Sequence, residues 1–227
     1  MEKTQQQILK HHGGDGEHAR QMITESYDRR HDIEFWEFWN EQMATVISNG
    51  DCLVDLGAGI GQFVSDLALR YPHNSAVGID AADYMLVAQE TLPENGRMIK
   101  GDLNEPQVNI EDGRVAVAMA NMLVHELPQP IKLFKAVYKW LKPGGRFCII
   151  DLVRQPLAEY LEHKYPNGLL FTTDVARDEM EDVFEHFLEH NRYHADDIIY
   201  MLKGVGFKVI ENTPQRGGRF VRIVVEK

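Results

Sequence analysis

The sequence contains few cysteines and no long apolar run, and these two absences exclude several classes of protein. Cys52 and Cys148 are the only cysteines, and each lies within a short apolar run. We therefore expect buried thiols rather than a disulfide framework or a cysteine-ligated metal. The most apolar run, residues 115–124, is far shorter than the roughly 20 residues that a membrane-spanning helix needs. Because no basic start precedes an apolar stretch, no secretory signal is predicted, and we expect a cytoplasmic protein.

Basic residues are scarce relative to acidic ones. The chain has 24 lysines and arginines against 35 aspartates and glutamates, which gives a formal charge of −11. Nucleic acids and anionic membranes are bound by basic surfaces, so we expect neither as a partner. The composition leaves open whether the chain forms a homodimer.

The 227 residues are enough for one domain with a substantial core. From residue 50 onward, short apolar runs alternate with helical patterns, which predicts parallel βαβ units. The last two runs are joined by a short turn and predict an antiparallel pair at the sheet edge. The fold class is therefore α/β, a doubly wound seven-stranded sheet that is mostly parallel. The predicted strands are residues 52–56, 76–79, 97–100, 115–120, 146–152, 207–211 and 219–226, and the predicted helices are residues 61–70, 83–91, 130–141, 174–190 and 196–203.

The sequence divides into this alternating part and two segments of different character. Residues 1–48 are interpreted as a polar leader followed by a helical cap, and residues 49–227 form the main domain, in which residues 154–194 break the alternation as a lid insertion. Aromatic residues recur at helical spacing in the cap. They either pack against the core or form a roof over a pocket, and the best candidates for the roof are Tyr27, Phe35, Trp36 and Trp39.

A glycine-rich loop follows the first predicted strand and precedes a helix. Glycines at positions 57, 59 and 61 permit a tight turn, and the helix that follows offers free N–H groups to a ligand. The third glycine of a dinucleotide-binding loop is replaced by Gln62, and Asp55 is badly placed for a pyrophosphate. Both residues disfavour a nicotinamide-dependent dehydrogenase. A carboxylate at position 55 suits a cationic ligand instead.

This loop is the first of five motifs that occur in order and at suitable intervals along the chain. They are Asp55-Leu56-Gly57-Ala58-Gly59-Ile60-Gly61, Gly78-Ile79-Asp80, Gly101-Asp102-Leu103, Asn121-Met122-Leu123-Val124-His125-Glu126-Leu127-Pro128 and Leu141-Lys142-Pro143-Gly144-Gly145-Arg146. In this order they resemble the motifs of the class I S-adenosylmethionine-dependent methyltransferases, and the resemblance covers about residues 50–153 and 196–227. It implies a Rossmann-like sheet and S-adenosylmethionine as the cofactor.

The resemblance also implies which residues hold this cofactor. The carboxylate of Asp80 would accept from both ribose hydroxyls, and the carboxylate of Asp102 would accept from the adenine amine. The full set of implied cofactor-binding residues is Asp55, Gly57, Ala58, Gly59, Gly61, Asp80, Ala81, Met85, Gly101, Asp102, Leu103, Asn121 and Met122. Tyr27, Trp36, Trp39 and His125 are the expected contacts of a small-molecule acceptor.

His125 is the candidate catalytic residue. The run around it resembles the stretch of small-molecule O-methyltransferases in which a histidine is the general base, but Glu126 and Leu127 replace the Asp-Trp of that stretch. His125 is thus either a base or a residue that packs or contacts the acceptor. The implied reaction is direct in-line transfer of a methyl group to oxygen or nitrogen. A non-catalytic or regulatory protein that binds S-adenosylmethionine is the alternative.

The lid contains two features of its own. Nine acidic residues between positions 174 and 197 either form a solvated face or receive a cationic acceptor. His186-Phe187-Leu188-Glu189-His190 matches a zinc-peptidase pattern, but only a short chain follows it. We therefore expect no functional metal, and we interpret these histidines, with His194, as partly exposed residues of a lid helix or as adventitious ligands.

Overall fold

The computed structural model describes residues 6, 9–10, 14–87, 89, 91–165 and 177–227, with the backbone alone for residues 177–178. A seven-stranded sheet in the order β3-β2-β1-β4-β5-β7-β6 forms its centre. The strands are β1 (Cys52–Leu56), β2 (Ser75–Asp80), β3 (Gly96–Lys100), β4 (Val115–Asn121), β5 (Leu141–Leu152), β6 (Lys208–Gln215) and β7 (Phe220–Glu226). The helices are α1 (Gly16–Glu25), α2 (Tyr27–Arg30), α3 (Ile33–Phe38), α4 (Gln62–Arg70), α5 (Asp83–Val87), α6 (Pro130–Trp140), α7 (Leu157–Lys164), α8 (Arg177–His190) and α9 (Ala195–Val205).

The predicted fold class is confirmed. Strands β1 to β5 pair in parallel, and β7 is antiparallel to both β5 and β6. Every residue of β4 except the last is buried, because helices cover both faces of a parallel sheet. The turn between the antiparallel strands contains Gly217 and Gly218, whose φ angles of 68° and 87° favour glycine. The reversal of strand order between β1 and β4 is where an open α/β sheet binds its ligand.

The N-terminal segment is helical as predicted, but it is divided into short helices. Asp32 begins the third of them, because its side chain accepts from the backbone N–H of Phe35. Helix α3 continues as a π-helical turn over Trp39–Met43. The buried aromatic residues of this segment share one hydrophobic cluster with β1 and α4. The segment therefore belongs to the core of the sheet domain.

Residues 154–194 contain two helices in the described part of the chain, α7 and α8. Helix α7 was not predicted. The helix predicted over residues 174–190 is present from Arg177 onward, and its first three residues lie outside the described residues. Val183 and Phe187 form its buried side. The helix predicted over residues 83–91 is shorter than expected, since α5 ends at Val87.

Two further expectations concern the cysteines and membranes. Neither cysteine forms a disulfide; Cys148 is buried and Cys52 is half-buried. Burial raises the pKa of both thiols, so neither behaves as a reactive thiolate. Among the described residues, every helix is too short or too polar to cross a bilayer.

Candidate active site

A cavity of about 860 Å³ opens at the carboxyl ends of the central strands. Asp55 of β1, Asp80 of β2 and Asn121 of β4 form its floor, and α2 and α3 cover one side. His190 of α8 reaches it from the lid segment, and Arg222 of β7 reaches it from the sheet edge. The cavity therefore lies where the order of the sheet reverses, as expected for a ligand site in this fold.

The glycine-rich loop has the predicted geometry. Gly57, Gly59 and Gly61 have φ angles of 74°, 56° and 91°, which residues with a side chain rarely adopt. A Cβ atom at Gly57 would lie 3.2 Å from the side chain of Leu123, so the loop also approaches the segment after β4 closely. Met122, which lines the cavity in that segment, has a φ of 59° without being glycine. Such strained backbone concentrates at functional sites.

Two buried carboxylates form an acidic wall beside this loop. Asp55 and Asp80 are 5% and 9% exposed. Burial and the nearby charge of Asp80 raise the pKa of Asp55 to about 7, although Arg30 opposes the shift. Burial likewise raises the pKa of Asp80, whose carboxylate accepts from the N–H groups of Gly59 and Ala82 at 2.8 Å each. The wall is unfavourable for two negative charges until a cation enters.

The structure brings most of the implied cofactor residues together around the cavity. Gly61, Gly101 and Asp102 are the exceptions. Gly61 and Gly101 are needed for packing, since a Cβ atom would lie 3.2 Å from Met98 and 2.5 Å from Val108, respectively. Asp102 is buried, and its carboxylate accepts from the backbone N–H of Asn104. The implied cofactor-binding residues that do line the cavity are Asp55, Gly57, Ala58, Gly59, Asp80, Ala81, Met85, Leu103, Asn121 and Met122.

The expected acceptor residues are divided between the cavity and the core. Tyr27 lines the cavity and donates from its hydroxyl to Asp66 at 2.6 Å. Trp39 is fully buried, and its indole N–H donates to the Tyr71 hydroxyl at 2.9 Å. Trp36 lies against the Arg70 guanidinium, 3.5 Å from the ring centroid. Since neither tryptophan lines the cavity, both leave the set of proposed acceptor contacts.

His125 lines the cavity but is almost completely buried, with 4% of its surface exposed. Its Nδ1 is 2.5 Å from Asp151 Oδ1, and its Nε2 is 3.2 Å from Glu126 Oε1. Burial opposes the charge of the ring, but the carboxylates of Asp151 and Glu126 outweigh it and raise the pKa of His125 to about 10. An imidazolium cannot accept a proton, so the predicted role of general base is not open to this state of His125.

Asp151 holds the residues around His125 in place. It is completely buried at the end of β5, and its Oδ2 accepts from the N–H groups of Leu123, Val124 and His125. The carboxylate thus fixes both the short 3-10 helix Val124–Glu126 and the ring of its histidine. The sequence analysis missed it. The signal was present, because Asp151 ends an apolar strand in the same way as Asp55 and Asp80.

His190 of α8 lies beside Glu126 and His125. Its Nε2 is 3.5 Å from Glu126 Oε1, and its ring centroid is 5.6 Å from that of His125. Burial and the adjacent His186 lower the pKa of His190 to about 4. The sequence pattern paired His190 with His186, and the structure confirms that contact, with ring centroids 4.0 Å apart. It also places His190 beside Glu126 of the fourth-strand motif, which the pattern did not predict.

Arg30 is a second cavity residue that the sequence analysis missed. Its guanidinium donates to the Ile23 carbonyl oxygen at 3.0 Å, and burial lowers its pKa. Among the described residues, no group accepts a hydrogen bond from the buried Arg30 Nε. A buried guanidinium in this position is suited to an anionic group of a ligand.

Comparisons with known proteins agree with this geometry. Residues 54–149 match the methyltransferase domain family. The chain is 30% identical over 146 residues to phosphoethanolamine N-methyltransferase 1 of Triticum aestivum, covering 59% of this chain and 28% of that protein. It is 27% identical over 149 residues to demethylmenaquinone methyltransferase of Chlamydia pneumoniae, covering 63% and 64%. The aligned part is therefore less than two thirds of either relative.

A solved structure extends the likeness of the fold to most of the chain. It is the complex between the Haloferax volcanii Trm112 methyltransferase activator and a methyltransferase. The TM-score is 0.62 with 15% identity, and the alignment covers 91% of this chain and 96% of the other.

Proposed function

We propose that the chain is a class I S-adenosylmethionine-dependent methyltransferase that methylates a small-molecule acceptor by direct in-line displacement. The match of residues 54–149 to the methyltransferase domain family supports the proposal. The bond from sulfur to the methyl group breaks as the bond from the methyl group to an acceptor oxygen or nitrogen forms. S-adenosylhomocysteine leaves, and the proton of the acceptor group is lost to water. The acidic wall is the observation that carries this proposal. Two buried carboxylates beside a glycine loop favour a ligand that carries a positive charge, and the sulfonium group of the donor carries one.

The residues around the cavity fit the donor. The positive-φ glycines leave room for a ligand against the backbone, and Asp80 still has carboxylate lone pairs for ribose hydroxyls. Leu103 and Asn104 line the end of the cavity where the resemblance implies the adenine. Arg30 Nε is available for the carboxylate of the donor's amino-acid part. When bound, the donor supplies an already activated methyl group, so the protein needs mainly to align the acceptor.

The acceptor contacts are proposed to be Tyr27 and His125. Both ring nitrogens of His125 face carboxylates, so we assign the residue to fixing the acceptor end of the cavity rather than to removing a proton. Known relatives act on phosphoethanolamine and on demethylmenaquinone, according to their names. An amine or a hydroxylated ring is therefore the first class of acceptor to test. We place the protein in the cytoplasm. The segment 154–194, of which residues 166–176 lie outside the described residues, is proposed as the lid, because His190 of this segment lines the cavity.

The test separates donor binding from turnover. Calorimetry should show S-adenosylmethionine binding to the full chain, and Asp80→Asn should weaken it. Asp112→Asn, which alters an exposed ion pair with Lys139, is the matched control and should leave it unchanged. A panel of amines, phenols and quinols is then scored by S-adenosylhomocysteine formation. Absence of donor binding would reject the proposal, whereas binding without turnover on any acceptor would favour the non-catalytic alternative.

A further inference from the structure

We propose that His125, Glu126 and His190 form a divalent-metal site at the acceptor end of the cavity. This cluster consists of two imidazole nitrogens and a carboxylate oxygen, and these atoms all lie within 4.8 Å of one another. The assignment of the metal rests on these residues alone. Its use by the enzyme, to bind an oxygen atom of the acceptor, rests on the proposed methyltransferase function.

The separations within the cluster suit a common ion. Glu126 Oε1 lies 3.2 Å from His125 Nε2 and 3.5 Å from His190 Nε2. Two ligand atoms on one zinc ion are roughly 3.4 Å apart, since each bond is about 2.1 Å long and the geometry is tetrahedral. The two histidine-to-glutamate distances therefore already correspond to neighbouring ligands of one metal.

The orientation of His190 is fixed by its backbone contact. Its Nδ1 is 3.1 Å from the carbonyl oxygen of His186, and a carbonyl oxygen only accepts. Nδ1 thus carries the ring hydrogen when the imidazole is neutral. Nε2 then carries the lone pair that a metal ion would bind, and it lies 3.5 Å from Glu126 Oε1.

The orientation of His125 is fixed by a carboxylate. Asp151 accepts from Nδ1, so Nε2 of the same ring is directed toward Glu126. A carboxylate that holds the far nitrogen of a histidine is the usual second partner of a metal-ligating histidine, because it sets the tautomer and increases the basicity of the ligand. Asp151 is a positioning residue in this arrangement.

In the metal-free protein the proton on His125 Nε2 faces the carboxylate of Glu126. A divalent ion would displace this proton to water and bind all three ligand atoms at once. Two imidazoles and one carboxylate suit zinc, cobalt(II) or iron(II), and three protein ligands leave coordination positions open.

The open positions face the cavity, because all three ligand residues line it. An acceptor hydroxyl or other oxygen donor is the class of ligand that would complete the coordination. Binding to the ion would lower the pKa of such a hydroxyl, so that its proton is lost to water before the oxygen receives the methyl group.

The experiment titrates the chelator-treated full chain with cobalt(II), whose absorption reports coordination, and with zinc(II) by calorimetry. We expect one strong site that Glu126→Gln and His190→Gln each weaken by roughly tenfold or more. His194→Gln is the matched control, because it changes an exposed histidine of the lid segment that lies outside the cluster. A variant with His11 and His12 changed to Gln removes binding at the N-terminal histidine pair, and the strong site should remain.

Two results would overturn the metal site. One is the absence of binding other than at His11 and His12; the other is binding that His186→Gln abolishes and Glu126→Gln leaves intact. Calorimetry of S-adenosylmethionine on the same variants keeps the outcomes distinct. Glu126→Gln and His190→Gln should retain donor affinity, so failure of the metal site leaves the proposed function standing. Retained circular dichroism of each variant shows that it is folded.

Discussion

Replacement of Asp55 by Asn should stabilise the ligand-free protein and weaken donor binding. Asp55 is 5% exposed at the end of β1 and lies beside the second carboxylate of the acidic wall, Asp80. Asn has nearly the same shape but no charge. The substitution thus removes a buried negative charge that the fold tolerates only because a cationic ligand uses it.

The size of the effect follows from the pKa of Asp55. Burial and the charge of Asp80 raise this pKa from 3.8 to about 7. A shift of about three pH units corresponds to about 4 kcal/mol, at about 1.4 kcal/mol per unit. Because the folded chain holds the proton more tightly than the unfolded chain, the free energy of unfolding falls as pH rises from about 4 to about 7 and then levels off.

The amide that Asp55→Asn introduces does not titrate. The free energy of unfolding of the variant therefore lacks this decrease between pH 4 and pH 7. At pH 8, we expect Asp55→Asn to increase the free energy of unfolding by at most about 4 kcal/mol over the wild-type chain. At pH 4, where Asp55 is protonated in the folded state, the difference should almost vanish. Urea unfolding at both pH values, without donor, measures the two differences.

Donor binding should change in the opposite direction. S-adenosylmethionine carries a sulfonium charge that S-adenosylhomocysteine lacks. Asp55→Asn should therefore reduce the affinity for S-adenosylmethionine by about tenfold or more, which is about 1.4 kcal/mol. The affinity for S-adenosylhomocysteine should fall by a smaller factor. The affinity of the wild-type chain for the donor should also fall below pH 7, as Asp55 takes up a proton.

Asp112→Asn is the surface control and should change stability by less than about 0.5 kcal/mol. The electrostatic reasoning is refuted if Asp55→Asn is less stable than the wild-type chain at pH 8 without donor. It is also refuted if the variant binds donor and product with the wild-type ratio of affinities.

Asp80→Asn should lower donor affinity at least about tenfold in calorimetry, because hydrogen bonds to a charged acceptor are each worth about 1.5–3 kcal/mol; unchanged affinity would contradict the ribose assignment. Trp39→Ala should cost about 3–5 kcal/mol in urea unfolding, because it empties a fully buried site and frees the Tyr71 hydroxyl, while donor affinity in the folded fraction stays constant. Deletion of residues 1–40 should abolish cooperative unfolding, since the cap contributes to the core cluster; a truncated chain with the wild-type urea midpoint would show that the cap is a separate layer.

The parts of the fold that were predictable from sequence are the ones set by local pattern. Each predicted strand is an apolar run bounded by turn residues, and each occurs in the sheet within a few residues of the predicted bounds. The glycine loop was recognisable for the same reason, because its three glycines need φ angles that only glycine adopts freely. Local sequence was thus sufficient to predict the sheet and the glycine loop beside the cavity.

The acceptor side was not predictable, since it depends on contacts between distant segments. His125 and Asp151 are 26 residues apart and meet only because β4 and β5 are neighbours. His190 reaches them from a helix whose sequence pattern suggested a different partner, His186. Periodicity likewise placed Trp39 on an aromatic stripe but did not reveal which face of the stripe the sheet would cover.

The two sides of the cavity follow one physical rule. Asp55 and Asp80 end neighbouring parallel strands on one side, and Asp151 ends β5 on the other. The low dielectric of each site makes an unbalanced carboxylate costly, so a proton or a cation is favoured at the carboxyl ends of the strands on each side. In the proposed complex, the sulfonium group of the donor would supply the positive charge beside Asp55 and Asp80, and the His125 imidazolium or the proposed metal would supply it beside Asp151. The methyl group and the acceptor would then lie between two positive charges that the strand ends hold apart.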